Sequence, residues 1–581
     1  MGAAHGIGPI LTLALPWKGR ESFANQSPTM KVYQAVANAF VKEGATTIFG
    51  LMGDGNMSWA AVMSSMPGVR MIDVRDEGAG LSMAEGWARA TGRVGVCNVT
   101  HGPGITRMTT SLVAASKARV PIVVYTSRTH FNNEWQNQSL NQERLVSATG
   151  AGYIEVLSPA FAEDAVRQAF HQARTQRRPV VLAYPMNVQE MNIDSDGDDY
   201  QPSSTLFSGQ QRIRPAEEQL AQAIKIIAAS KKPVVVVGEG AVRSGAIEAS
   251  GRLAERIGAL TATSLIAKGS LSGEFHAGIS GMFSTRAVMG LFEEADCVIA
   301  VGASLNPHTI EGGLLYPKAR IVHINSEPVV VMGNDRVADC YVQGDALVTV
   351  QAIDAELSQH IVFKENFRTP AIKKILLNAN RDPAEYDIEP GTVDPREASR
   401  VIDECLPADV GVAIGVGHSF AFPVMIMQKP RALHAFVNGF GSIGQTLPTA
   451  IGMAVAQGAG KPFALIEGDG GAMQNIQELD TASRLGLKLL FIILNDEGLG
   501  AEYHKLKASG FDAKLAGVRS PDFGAVARGF GCRGRVARTL DELSAGIAEF
   551  LSGDGPMVLD VRISRNVVNI TYRRMFYGED A

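Results

Sequence analysis

Short runs of apolar, mostly β-branched residues alternate with stretches of helical periodicity along nearly the whole chain, and nothing else in the sequence limits its fold as much. Between residues 30 and 190 the runs are Thr47-Ile48-Phe49, Val94 to Val99, Pro121 to Tyr125 and Pro179 to Ala183, and a helical pattern (Val32, Ala35, Val36, Ala39, Phe40) precedes the first. Strands that alternate with helices predict a parallel sheet covered by helices. The alternation returns between 213 and 352, with Pro233 to Val237, Cys297 to Val301 and Arg320 to Ile324. It returns again between 393 and 565, with Phe463 to Ile466, Leu489 to Leu494 and Met557 to Val561. At 581 residues the chain is too long for one core, and a norm of about 100–200 residues per domain predicts several. The expectation is an α/β protein of three doubly wound parallel-sheet domains. Residues 187–212, rich in Asp, Ser and Gln, and 353–392, weakly patterned, read as linkers; 1–29 reads as a loose extension and 566–581 as a tail.

Charge and cysteine usage narrow the function classes. A formal net charge of −5 argues against a nucleic-acid surface or a polybasic membrane contact, which leaves a small molecule as the expected partner. The cysteines (Cys97, Cys297, Cys340, Cys405 and Cys532) lie far apart and form no C-x-x-C pair. That argues against zinc and a disulfide framework and fits a reducing cytoplasm. No stretch is long and apolar enough to span a bilayer. Ile10 to Trp17 is apolar, but it follows Pro9, is interrupted by Pro16 and lacks a basic segment before it, so it does not read as a signal peptide.

The chemistry concentrates near residue 469. Ala464 to Met473 reads as a buried strand running into Gly468-Asp469-Gly470-Gly471-Ala472, an acidic, glycine-flanked turn before a helix. A carboxylate at the carboxyl end of a parallel strand suits magnesium, which prefers oxygen ligands and is often shared with phosphates. Glycines let the backbone approach a phosphate closely, and a helix N-terminus favours negative charge. A lone Gly-Asp-Gly is more often a turn. Here the next strand, Leu489 to Leu494, ends in Asn495-Asp496-Glu497-Gly498, so a second polar group lies 27 residues after Asp469 (496 − 469). Oxygen ligands at two adjacent strand ends can converge on one point.

These residues resemble the thiamine-diphosphate signature of the acetohydroxyacid synthase and pyruvate decarboxylase superfamily, a Gly-Asp-Gly followed at this distance by Asn-Asn. The resemblance implies that Asp469 and Asp496 bind magnesium by side chain and Gly498 by its carbonyl, with Gly468, Gly470, Gly471 and Ala472 beside the diphosphate. Asp496 replaces the family's second Asn, and a shifted register makes Asn495 the alternative ligand. Asn438 to Gly444 resembles the segment that packs on the cofactor's aminopyrimidine. Gly441 and Ser442 lie on it, and Ile443 matches the large apolar residue that bends the cofactor; the other reading is an ordinary glycine-rich turn. Gly417-His418-Ser419 resembles a segment that often reaches the diphosphate, although a lone histidine is more often structural.

The cofactor must lose the proton on its thiazolium C2, and its own aminopyrimidine can act as the base if a carboxylic acid exchanges a proton with the ring nitrogen. That requires an acid in a dry site, where burial raises its pKa. The segment Arg75 to Gly104, with Ala88 to Gly92 and Thr100-His101-Gly102-Pro103-Gly104, resembles the family's pyrimidine-binding domain, and Glu77 falls on the activating glutamate. An acid at a helix start is otherwise a cap or dipole partner. The family builds its sites between subunits, so a homodimer or homotetramer is implied.

Departures from the family bear on the reaction. Acetohydroxyacid synthases have a Met, a Val and a Trp after the metal signature, where this chain has Ala501, Glu502 and Lys505. Glu502 instead matches a glutamate that pyruvate decarboxylases use as an acid/base, and Gly53-Asp54-Gly55-Asn56 resembles their Gly-Asp-x-Asn segment. The plain readings are an exposed helix residue for Glu502 and a turn former for Asp54. The paired histidines of the decarboxylases are not evident, His101 is a candidate to join Asp54, and Gln142-Glu143 falls on a synthase-type pair that points into the site. A titratable pair suits enamine protonation or water activation.

Three activities follow as hypotheses. The first is decarboxylation or carboligation of a 2-oxo acid or aldehyde, the second hydrolysis of a 1,2-diketone, and the third a non-catalytic cofactor-binding protein on the same scaffold. In the middle block, Val237-Gly238-Glu239-Gly240 and Gly302-Ala303-Ser304 end strands as nucleotide loops do, each weakly. Synthase relatives hold FAD there with an Arg-bearing segment that this chain replaces by Asn306-Pro307-His308, while Lys268-Gly269 and Arg286 remain compatible. A bound FAD and a vestigial empty site both stay open.

Overall fold

The computed structural model describes residues 29–131, 135–195, 197, 199–206, 212–327, 332–333, 336–360, 367–379, 382–431, 434–436 and 440–578. Three six-stranded parallel sheets form its frame. The first contains β1 (Thr47–Gly50), β2 (Arg70–Asp73), β3 (Gly95–Asn98), β4 (Ile122–Arg128), β5 (Gly152–Glu155) and β6 (Pro179–Pro185) in the order β2-β1-β3-β4-β6-β5. The second contains β7 (Pro233–Val237), β8 (Leu260–Thr263), β9 (His276–Ile279), β10 (Cys297–Val301), β11 (Arg320–Asn325) and β12 (Cys340–Gln343) in the order β9-β8-β7-β10-β11-β12. The third contains β13 (Gly411–Ile414), β14 (His434–Phe436), β15 (Phe463–Gly468), β16 (Leu489–Asn495), β17 (Arg533–Ala537) and β18 (Met557–Arg562) in the order β14-β13-β15-β16-β18-β17. The expected three-domain α/β class is what the chain adopts, and the first and third sheets share one strand order.

The central strands are buried on both faces, which is why they read as unbroken apolar runs. Val234 to Val237, Val298 to Val301 and Leu490 to Ile493 are all fully buried. Each such side chain contributes about 1.5–3 kcal/mol relative to exposure.

Six helices carry the functional argument: α1 (Met57–Ser65), α2 (Glu77–Thr91), α3 (Thr446–Gln457), α4 (Asp469–Ala472), α5 (Gly500–Ala508) and α6 (Ile570–Phe576). The first and third domains share one core, in which Trp87, Ile105 and Leu112 pack with Leu447, Ile451 and Phe491. α2 and α3 cross at its centre, and twelve consecutive residues of α2, Glu77 through Ala88, are buried.

Several connecting stretches have structure of their own. Asn192–Asp194 pairs antiparallel with Thr29–Lys31, and Thr369 caps a helix at Pro370–Asn378. The segment read as a tail forms α6, capped by Asn569, whose Oδ1 accepts from Tyr572 N–H at 2.9 Å. Arg574 binds α6 to the central domain through Met282 O, Ser284 O and Glu311. The expected loose extension lies outside the described residues except for Thr29. Among the described residues no helix is long and apolar enough to cross a membrane.

Candidate active site

In open α/β sheets, ligands bind beyond the carboxyl ends of the strands where the strand order reverses. In the first sheet that point lies between β1 and β3, where the register pairs Gly50 with Asn98 and Asn98 with Tyr125. The loops after these strands meet there. Buried Asn56 ties them together: Nδ2 donates to Leu51 O and Asn98 Oδ1, both at 3.0 Å, and Oδ1 accepts from Gly53 N–H at 2.7 Å. Asp54 stands exposed on this loop.

His101 and Gln142 are buried at the same edge. His101 Nδ1 lies 2.6 Å from Ser127 Oγ, and Gln142 Nε2 donates to Ser127 O at 3.0 Å. Burial holds the His101 imidazole below its ordinary pKa, against the opposing charge of Asp54 and together with His130. The structure therefore brings Asp54, His101 and Gln142 to one strand edge around Ser127. Glu77, at the first turn of α2, is buried, and its Oε2 lies 3.2 Å from Arg107 Nε. The Arg107 guanidinium also donates to Asp76, whose carboxylate caps α2 by accepting from Ala79 N–H at 3.1 Å.

The third sheet repeats the arrangement. β15 and β16 run in register from Phe463↔Leu489 to Gly468↔Leu494, so Asp469 and Asp496 leave neighbouring strand ends. Both are buried. Burial raises both carboxyls, and each senses the other, with Asp469 adding to the rise at Asp496. Ser520 Oγ donates to Asp469 Oδ2 at 2.5 Å. Glu497 takes a left-handed φ of 55°, turning the chain so that Gly498 pairs with Gly517. Arg565 donates to Asp496 O at 2.5 Å and holds this turn from outside.

Two carboxylates this close out of water either keep a proton or stay charged together beside a cation. An all-oxygen donor set of two carboxylates and the Gly498 carbonyl fits magnesium shared with a phosphate. Asn495, the register alternative, has its amide engaged: Nδ2 donates to Asp560 Oδ1 at 2.9 Å and Oδ1 accepts from Glu497 N–H at 3.0 Å.

The remaining expected residues lie on the 417–419 and 441–443 segments, around α4 and on α5. A Cβ on Gly468 would stand 2.9 Å from Ser419 Oγ, which places the 417–419 segment on the Gly-Asp-Gly turn. Gly417 and Gly441 have left-handed φ values of 107° and 77°. Gly470 and Gly471, in the first turn of α4, are equally close-packed: a Cβ on Gly470 would meet Leu499 at 2.8 Å and one on Gly471 would meet Glu467 Oε1 at 2.5 Å. Ala472 is buried behind them. Ser442 Oγ donates to Gln445 Oε1 at 3.0 Å beside half-buried Ile443, while Asn438 and Gly439 lie outside the described residues. Glu502 projects from α5 half-exposed, with Lys505 Nζ at 3.6 Å.

Three residues at the site carried no motif. Ser127 is one. Glu467, buried, accepts from Thr446 Oγ1 at 2.8 Å and Gly444 N–H at 3.2 Å, and burial lifts its carboxyl to about 7. It ties the Gly441–Ile443 segment to the metal strand. An acid closing the apolar run Ala464-Leu465-Ile466 was the available signal. His504, fully buried on α5, lies against His418 with ring centroids 4.2 Å apart and the ring planes tilted by 40°. His418 Nε2 accepts from Asn569 N–H at 3.2 Å, anchoring α6 to the diphosphate segment.

Comparison with known proteins accords with this geometry. Residues 30–145 match the family described as "Thiamine pyrophosphate enzyme, N-terminal TPP binding domain", 220–353 its central domain and 413–561 its C-terminal TPP binding domain. The chain is similar to the acetolactate synthase large subunit of Corynebacterium glutamicum, 28% identical over 91% of this chain and 86% of that protein. It is 29% identical to a probable acetolactate synthase large subunit of Methanocaldococcus jannaschii, over 92% of each chain. A probable 2-ketoarginine decarboxylase of Pseudomonas aeruginosa is 27% identical over 92% of this chain and 94% of its own.

Proposed function

Because the chain belongs to the thiamine pyrophosphate enzymes, we propose that it makes or breaks a carbon–carbon bond beside a carbonyl group, as a decarboxylase or carboligase of a 2-oxo acid or aldehyde. The observation that carries this reading is the pair of buried carboxylates, Asp469 and Asp496, at adjacent ends of β15 and β16. Bound thiamine diphosphate supplies a nucleophilic carbon and an electron sink for the charge left when the bond breaks.

The chain's own residues do the rest. Asp469, Asp496 and the Gly498 carbonyl would hold Mg2+, and the glycines of α4 would admit the diphosphate. Ile443 would lie against the pyrimidine, and the Glu77 carboxyl would hold or release a proton beside its ring nitrogen. Asp54, His101 and Gln142 face the substrate from the first domain. A second copy of the chain completes the site. Met52 and Met57 around Asp54, Phe440 before Gly441 and Met473 after α4 are exposed apolar side chains that a homodimer or homotetramer would cover.

Of the two readings of the central domain, an empty site is the one the turns support. The backbone N–H groups that would cradle a diphosphate are engaged: Gly238 donates to Val301 O and Gly240 to Gly302 O, both at 2.9 Å. A purified chain without absorption near the flavin band supports this; a yellow protein overturns it in favour of FAD. The free cysteines, four of them buried, support a reducing, cytoplasmic setting.

The polar setting of His101, with Ser127, Gln136 and Gln142 around it, favours one second reading, activation of water to hydrolyse a 1,2-diketone. The test is product analysis after reconstitution with thiamine diphosphate and Mg2+. CO2 release from pyruvate or benzoylformate supports the lead reading, and acid release from diketones without CO2 moves it to the second. Absence of C2 proton exchange on the bound cofactor sinks both.

A further inference from the structure

Ser127 sits at the end of β4, fully buried, with its hydroxyl against a buried histidine. Its Oγ is 2.6 Å from His101 Nδ1, and the imidazole is its hydroxyl's one hydrogen-bond partner among the described residues. The contact is built into the backbone. A Cβ at Gly55 would stand 1.7 Å from Ser127 Oγ and 2.5 Å from His101 Nδ1, so only glycine leaves room for the pair. Gln142 Nε2 fixes the serine from the other side through Ser127 O.

The direction of this bond follows from proton counting. A hydroxyl has one proton to place. If Nδ1 carried the imidazole proton and donated it, the serine proton would be buried with no acceptor, which leaves a hydrogen bond unmade. If the serine donates to Nδ1, the hydroxyl proton and the Nδ1 lone pair are both satisfied. The neutral imidazole proton then resides on Nε2.

Gln136 frames the alternative. Its Nε2 lies 3.5 Å from His101 Nε2, where it would best face a bare nitrogen, while its own Oε1 is buried without a partner. Turning the amide by half a turn sets Oε1 towards an Nε2–H instead and takes Oε1 out of its orphaned position. The separation is long for a hydrogen bond, so this N–H is the group of the cluster left for an incoming oxygen.

We infer that Ser127 is a positioning residue that fixes His101 as a neutral Nε2–H donor, aimed at a carbonyl or alkoxide oxygen of the substrate and not used as a base. The inference rests on the proposal that this sheet edge faces the substrate. Burial keeps the imidazole neutral, and the charged or titratable groups that reach it are Asp54 and His130. A neutral imidazole donor stabilises developing negative charge on oxygen without giving up its proton.

The tautomer can be read without turnover. Two-bond 1H–15N correlation spectra of the 15N-histidine-labelled chain at pH 7, with His101 assigned by its loss in His101→Asn, are expected to show a protonated Nε2 and a bare Nδ1. A proton on Nδ1, or a doubly protonated ring, overturns the inference whatever the enzyme's activity. Ser127→Ala is expected to turn the His101 signal into a mixture of tautomers. It should also lower kcat about tenfold, with KM changed less than about twofold. If Ser127→Ala leaves tautomer and kcat unchanged, the positioning role is wrong. If the tautomer shifts as expected while no 2-oxo acid or diketone is turned over by the wild type, the proposed function fails and the Ser127–His101 assignment stands.

Discussion

Gly86 of α2 and Gly452 of α3 bring the two helices into backbone contact. A Cβ on Gly86 would lie 1.9 Å from Thr449 O, and a Cβ on Gly452 would lie 1.9 Å from Met83 O. Neither neighbour is a flexible side chain that can swing aside. The first and third domains are therefore joined at a crossing that tolerates only hydrogen at two positions, and the helices set there begin or end near the site. α2 begins at Glu77, and the segment before α3 holds Gly444 and the Thr446 hydroxyl to Glu467.

Gly452→Ala is expected to force these helices apart. Overpacking a rigid contact costs about 3 kcal/mol, and backbone neighbours place this case at the upper end. Chemical denaturation should show a lower midpoint. An unchanged midpoint would mean that the crossing relaxes freely.

Asp469→Asn removes one of two like charges buried side by side. Its signature is a split between binding and stability. Affinity for thiamine diphosphate in Mg2+ is expected to fall about 100-fold or more, while the metal-free chain unfolds at the same or a higher denaturant concentration, since a buried repulsion is relieved. Chelating the metal from the wild type should release the cofactor, and equilibrium dialysis with and without chelator measures it. Equal losses in binding and in metal-free stability would point to a structural aspartate.

Acid is expected to destabilise the chain through its buried histidines. Burial pushes His504 down to about 4 and His276 to about 4, and lowers His101, His323 and His418 in the same direction. The unfolded chain binds these protons first. Stability from the neutral rings is complete above about pH 6.5 and is lost as pH falls towards 4, on the order of 3 kcal/mol for His504 alone. The raised carboxyls of Glu467 and Asp496 act in the opposite sense over this range, so the histidine share is read by comparison: the denaturant midpoint of His504→Asn should fall less between pH 6.5 and 4 than that of the wild type. Equal changes in the two proteins rule the account out.

Much of this architecture was readable before any coordinates. The unbroken apolar runs marked the buried strands because parallel strands covered on both faces have no polar side. The Asp469 and Asp496 spacing marked a pair of carboxylates at adjacent strand ends because a helix and a strand between them return the chain to the neighbouring strand. What the sequence withheld was pairing at a distance. Ser127 ends an ordinary β-strand, and only the register Asn98↔Tyr125 brings it under His101. His504 looks like any helix residue until its ring packs against His418, 86 positions earlier (504 − 418). The first and third sheets share a strand order that no residue pattern revealed, because strand order is set by crossovers whose sequences differ.

Glu77→Gln tests the remaining link between fold and chemistry. Glutamine keeps the size of the side chain and its contact with Arg107 through the amide oxygen, but it cannot exchange a proton with a ring nitrogen. Because Glu77 lies on the first domain and the metal corner on the third, Mg2+ and diphosphate affinity are expected to stay within about threefold of the wild type, while kcat falls by about 100-fold or more. Exchange of the C2 proton into deuterated water, followed on the bound cofactor, isolates the step. In the wild type it should be complete within the mixing time, and in the variant slow enough to follow. Fast exchange in the variant would assign proton activation to another acid, with Glu77 then serving only the first turn of α2 beside Asp76.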